Sequence, residues 1–67
     1  VSLDREIEGW ERTLAMKPWV MMTGYLKKMK TRLHLAVAFL ALLELIRLGK
    51  ARVEEAAEGL VIKGGSL

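Results

Sequence analysis

Cysteine, asparagine and glutamine are absent from this 67-residue chain, and proline and histidine occur once each. Without cysteine there is no disulfide framework, no thiolate nucleophile and no sulfur-ligated zinc site, and a lone histidine excludes a His-rich metal centre. Aromatics are few, at 6%, so Trp10 and Trp19 are expected to supply the main bulk of any core. The longest uninterrupted apolar run, Leu35 to Leu43, falls well short of the ~20 residues of a membrane span and lies away from the N-terminus, where a signal peptide would lie, so no targeting segment is expected. A soluble, cytoplasmic protein with no membrane partner is expected. Depletion of thermolabile Asn, Gln and Cys alongside enrichment in Glu, Lys and Arg is a thermophile habit.

The residues that are present, 52% hydrophobic and 28% charged, are too apolar for a disordered tail and suit one small domain, assigned to residues 1–63. A core of this size supplies no more than roughly 3–5 kcal/mol. A buried catalytic cleft, an enzyme and a small-molecule substrate are therefore not expected. Val1 in place of an initiator methionine, with the ending Gly64-Gly65-Ser66-Leu67, reads as a fragment whose residues 64–67 are a flexible or vector-derived end.

Charge is unevenly distributed. Residues 1–16 hold Asp4, Glu6, Glu8 and Glu11 against Arg5 and Arg12, whereas residues 17–34 hold Lys17, Lys27, Lys28, Lys30 and Arg32 with no acid. The remainder is balanced, so the net charge of +3 resides in the middle of the chain.

Leu3, Ile7, Trp10 and Leu14 recur at i, i+4, i+7 and i+11, which predicts a first helix over about 3–16 with Ser2 as N-cap. Gly9 weakens that helix by roughly 1 kcal/mol relative to alanine, and Glu8 and Arg12 are spaced to pair across one turn. Lys17-Pro18 breaks the pattern. Trp19-Val20-Met21-Met22 then suits a small strand, followed by a short helix capped by Thr23 and reaching about Lys30; alternatively, Pro18 opens one longer helix. Thr31 is the expected cap of a third helix that runs to Gly49, a residue suited to a left-handed helix end. This helix is apolar nearly all round, more than so small a domain can cover. Ala51 to Glu54 and Leu60 to Lys63 read as a hairpin turned at Ala56 to Gly59. The fold class is thus α+β: three helices followed by a β-hairpin, with or without a short strand after helix one, which describes a winged helix.

The stretch Val37-Ala38-Phe39-Leu40-Ala41-Leu42-Leu43-Glu44-Leu45-Ile46, followed by Gly49-Lys50-Ala51-Arg52-Val53-Glu54, resembles the C-terminal domain of prokaryotic kleisins, the family of segregation and condensation protein A. The resemblance is specific over residues 35–55 and agrees in element order elsewhere. Where that family often has a Gln after the first wing strand and a Phe-Gly pair before the second, this chain has Glu55 and then Ala56-Ala57-Glu58-Gly59, so a shorter or differently packed wing tip is expected.

The resemblance implies a module without catalysis that docks on the ATPase head of an SMC protein and helps close a ring used in chromosome condensation and segregation, on the nucleoid. ATP and magnesium would be held by the SMC partner and no cofactor by this chain. By the same analogy Phe39 and Leu43, one turn apart, face the head, with Ala36, Ile46 and Arg47 beside them. The opposite flank, Leu33, Val37, Leu40, Ala41 and Leu48, would pack on helix one and the wing, and Leu42 and Leu45 fit either group. Arg52, Val53, Leu60 and Ile62 are candidate wing or edge-strand contacts, since an exposed strand edge is a template for pairing.

Other motifs have plainer readings. Lys27, Lys28, Lys30 and Arg32 suit either a solvated basic face or sequence-independent phosphate contact with DNA. Base readout is disfavoured, because between Leu35 and Leu45 helix three offers only Glu44 as a polar group. Met16, Met21, Met22 and Met29 suit gap filling in the interior or an adaptable contact surface. His34 has no second ligand or nucleophile and belongs at a surface or helix start. Glu8 with Glu11, and Glu54 with Glu55, are not placed for acid–base work, the first pair lying on an exposed helix side and the second alternating across a strand. Gly64-Gly65 is followed by no helix that could present amides to a phosphate.

Overall fold

The computed structural model describes residues 2–65. Helix α1 (Leu3–Met16) is followed by strand β1 (Trp19–Met21), helices α2 (Met22–Leu26) and α3 (Arg32–Arg47), and strands β2 (Ala51–Ala56) and β3 (Gly59–Gly64). The architecture is α+β, three helices on a three-stranded antiparallel sheet of order β1-β3-β2.

Helix α1 has the bounds its apolar spacing predicts. Ser2 occupies the N-cap with extended backbone, although its hydroxyl makes no capping bond, and Asp4 and Glu6 lie in the first turn, where the helix dipole favours them. The expected Glu8–Arg12 pair is not among the ion pairs formed by the described residues. The helix closes where the Lys17 amide donates to the Thr13 carbonyl at 3.1 Å, and Pro18, without an N–H, cannot extend it. Of the two readings of the next segment, the strand is the one formed: Trp19, Val20 and Met21 pair with Lys63, Ile62 and Val61. Helix α2 departs from expectation at both ends. Its N-cap is Met21, with Thr23 inside the helix, and it stops at Leu26 rather than near Lys30. The amides of Lys28 and Met29 bond three residues back, to Tyr25 and Leu26. That tighter turn ends the helix and turns Met29 partly inward.

Helix α3 starts as predicted, the Thr31 hydroxyl accepting from the His34 amide at 3.0 Å. At its other end the Gly49 amide donates to Ile46 and the Lys50 amide to Leu45. This Schellman closure needs a left-handed residue, which Gly49 supplies at φ +77°. The hairpin runs in register from Ala51 opposite Gly64 to Ala56 opposite Gly59, leaving the two-residue loop Ala57-Glu58. Among the described residues only glycines take a positive φ, so the excursion the turn requires falls on Gly59, at φ 138°. Strand β3 extends one residue past the expected boundary at Lys63, and the Gly65 amide donates to the Lys50 carbonyl at 2.7 Å. Ser66 and Leu67, the rest of the expected flexible end, lie outside the described residues, as does Val1.

Trp10, Ala41, Leu42, Leu45, Ala51 and Ile62 form the buried core, with Ile7, Leu14, Met22, Tyr25, Leu26 and Ile46 packed against it. Trp10 is its centre. Its indole N–H donates to the Ala38 carbonyl at 2.9 Å and its ring stacks on Tyr25, centroids 3.7 Å apart, so one side chain ties α1 to both other helices. Gly9 is where Tyr25 approaches α1: a Cβ there would meet the tyrosine hydroxyl at 3.0 Å, a close approach only glycine accommodates without displacement. Trp19, expected in the core, is instead half-exposed on the edge strand β1. Its register partner Lys63 faces the side of the sheet opposite Ile62, the strand residue buried under the helices.

Candidate partner-binding surface

Helix α3 divides cleanly. Ala38, Ala41, Leu42 and Leu45, at i, i+3, i+4 and i+7, are the buried residues of the helix. The two alanines make room for the Trp10 indole, whose bond to the Ala38 carbonyl brings α1 close to this face. With 3.6 residues per turn, the opposite side carries Leu33, Ala36, Leu40, Leu43 and Arg47, spaced alternately three and four apart, with Phe39 at its flank. All six are exposed.

This placement corrects the expected partition of the helix. Leu33, Leu40 and Leu48 do not pack on helix one and the hairpin: they are 65%, 54% and 49% exposed, more than Phe39 at 41% and Leu43 at 45%. Ala41 is buried as expected, Val37 is half-buried, and Leu42 and Leu45 belong to the core. The difference arises because the small residues Ala38 and Ala41, and not the leucines, mark where another helix comes close. Of the candidate contacts, Phe39, Leu43, Ala36 and Arg47 are at the surface, whereas Ile46 is half-buried against the core. Arg47 is held by a bidentate bond to Glu44, at 3.1 and 2.6 Å. That bond keeps the Glu44 carboxyl below its usual range and raises the guanidinium pKa. Leu35, also exposed, enlarges the apolar surface, and no spacing in the sequence singles it out.

On the hairpin, Arg52, Val53 and Leu60 are exposed, but Ile62 is fully buried and is not available as a contact. The edge argument also changes. Strand β3 is paired on both sides, to β1 and β2, so Leu60 to Lys63 cannot add to a partner sheet, while β2 keeps one edge unpaired within the fold. On the face away from the helices, Glu54 receives the Arg52 guanidinium at 2.7 Å and the Lys63 ammonium at 2.8 Å. Hydrogen bonding from Lys63, then from Arg52, lowers the Glu54 pKa. Glu55, one residue on, pairs with Leu60 and is exposed, consistent with strand alternation.

Lys27, Lys28, Lys30 and Arg32 are all exposed, on the turn between α2 and α3 and the first residue of α3. His34 stands at the helix start, as expected, and its Nε2 is 2.9 Å from the Glu6 carboxylate, linking α3 to α1. Of the methionines, Met22 packs on the core, Met21 and Met29 are half-buried and Met16 is exposed. Glu8 and Glu11 are exposed, Glu11 lying 3.7 Å from Lys50. No group of three or more His, Asp or Glu side chains among the described residues is placed to hold a metal, and none of their helices is long and apolar enough to cross a membrane.

The geometry therefore offers one extended apolar helix face, bounded at one end by Arg32 and at the other by the Glu44–Arg47 pair. Comparison of the chain with protein-family models, curated proteins and solved structures finds no match.

Proposed function

We propose that this chain is the C-terminal winged-helix module of a kleisin, which binds the ATPase head of an SMC protein and helps close the ring used in chromosome condensation and segregation. The observation that carries this reading is the exposed apolar face of α3, with Leu33, Ala36, Phe39, Leu40 and Leu43 left uncovered by the described residues of the domain. A contiguous apolar face of this kind is a mark of a protein-binding surface. Aromatic and aliphatic anchors at its centre are the side chains that dominate affinity. The order helix, strand, helix, helix, hairpin, with β3 between β1 and β2, supports the winged-helix description.

The same face argues against sequence reading in the major groove of DNA. Leu33, Ala36, Phe39, Leu40 and Leu43 present no donor or acceptor to a base edge. In this reading the chain performs no reaction: ATP and magnesium act on the SMC subunit, and the module works on the nucleoid in the cytoplasm.

Calorimetric titration into a purified SMC ATPase head tests the proposal. Micromolar or tighter binding, lost in both Phe39→Asp and Leu43→Asp, is expected. A folded module and folded head that give neither heat nor a complex would refute it.

A further inference from the structure

Apart from Arg5 and Arg12, which lie on α1 among Asp4, Glu6, Glu8 and Glu11, the cations of this protein fall into two populations. From Arg47 onward each one is matched: Arg47 by Glu44, Lys50 by Glu11, and Arg52 and Lys63 by Glu54. From Lys17 to Arg32 the chain carries five cations and no acid, and among the described residues none of the five enters an ion pair. The fold gathers them. Lys17, at the end of α1, and Lys28, just after α2, line one depression floored by Trp19, Val20, Met21, Gly24 and Tyr25, with no carboxylate in its lining. Lys27 adjoins Lys28, and Lys30 and Arg32 follow within four residues, a reach of at most about 14 Å of extended chain. The net charge of +3 is therefore concentrated on the rim running from the end of α1, past α2, to the start of α3.

We infer that this rim binds the phosphate backbone of duplex nucleic acid without reading its sequence. The charge pattern is the electrostatic footprint of phosphate-backbone binding: a domain of pI about 9.6 whose acid-free run of cations lies along one rim. Four of the five are lysines, mobile point charges on exposed stems, which neutralise phosphates without fixing the geometry of any one of them. Phosphate contacts set position and carry no sequence information. The adjoining outward face of α3 is apolar and adds none. The surface is distinct from the apolar face of α3 and does not depend on what that face binds.

Fluorescence anisotropy of a labelled random-sequence duplex, titrated with this protein alone at several salt concentrations, tests the inference. Five phosphate contacts predict a log–log salt slope near −4.5, so affinity should fall about 500-fold between roughly 50 and 200 mM salt. Lys27→Ala/Lys28→Ala, both sites being exposed turn positions, should lower the slope by about two while leaving the circular dichroism and thermal midpoint unchanged. An unchanged slope in that folded variant, or no binding at the lowest salt, would overturn the assignment. So would displacement of the duplex by poly-glutamate as readily as by unlabelled duplex at equal charge, which would assign the rim to acidic protein segments.

Discussion

Trp10 and Tyr25 concentrate much of the domain's organisation in one stacked pair. The indole is fully buried and satisfied by the Ala38 carbonyl, so it adds a large apolar surface without an orphaned donor. Tyr25 covers it from α2 and reaches Gly9 on α1. Burial raises the phenol pKa above its ordinary 10.0, Glu6 adds to that rise, and Arg12 and the hydrogen bond with Thr13 oppose it. The sign follows: the native state holds this proton more strongly than the unfolded chain, so the contribution is complete below pH 10.0 and is lost as pH rises through the native value. Because Tyr25 is the only tyrosine, the ultraviolet absorbance of tyrosinate reports it alone. Its midpoint should lie above 10.0 in the native protein and return to 10.0 in denaturant. Coincident curves would show that the ring is not shielded. Trp10 is readable as core because it falls on a four-residue apolar stripe. Trp19 is not, since three strand residues reveal no face until their partners Lys63, Ile62 and Val61 are known.

The elements themselves are largely legible wherever a residue punctuates the chain for a backbone reason. Pro18, Thr31 and Gly49 mark three boundaries correctly, and Gly49 shows why. It adopts φ +77°, and a Cβ added to it would meet no heavy atom within 4 Å, so a substitution there meets backbone strain and no steric clash. Gly49→Ala should therefore lower stability by about 1–2 kcal/mol in urea unfolding. An unchanged midpoint would mean that the helix end rearranges to avoid the left-handed residue. Helix α2 is harder to delimit, because its end depends on turn bonds from Lys28 and Met29 that no side-chain pattern announces. The hairpin's two edges likewise look equivalent until β1 claims one side of β3. Its outer face makes its own prediction. Lys63, then Arg52, hold Glu54 below its ordinary 4.5, so this contribution is present above that value and lost as pH falls through the lower native one. Thermal melts from neutral pH to pH 3 should show the parent losing more stability than Glu54→Gln over that acid limb; parallel losses would mean the bridge is not coupled to folding.

For the whole molecule, the decisive fact is that one helix carries two apolar faces. Its inward side, Ala38, Ala41, Leu42 and Leu45, is used by the domain's own core, and its outward side is apolar and exposed. Substitutions on the two sides should therefore separate folding from binding. Leu42→Asp places an unpaired charge in the core beside Trp10 and should leave no cooperative thermal transition, since the cost exceeds the roughly 3–5 kcal/mol that so small a core supplies. Phe39→Asp and Leu40→Asp, at exposed sites, should stay within about 0.5 kcal/mol of the parent in urea unfolding. In the SMC-head titration both should lose binding, because Leu40 stands between Ala36 and Leu43 on the outward face even though the kleisin resemblance assigns it to the packed flank. Binding that survives Leu40→Asp but not Phe39→Asp would confine the interface to the Phe39–Leu43 flank and leave Leu33 and Leu40 as plain surface. Loss of cooperative unfolding in Leu40→Asp would instead return that residue to the core and refute the division of α3.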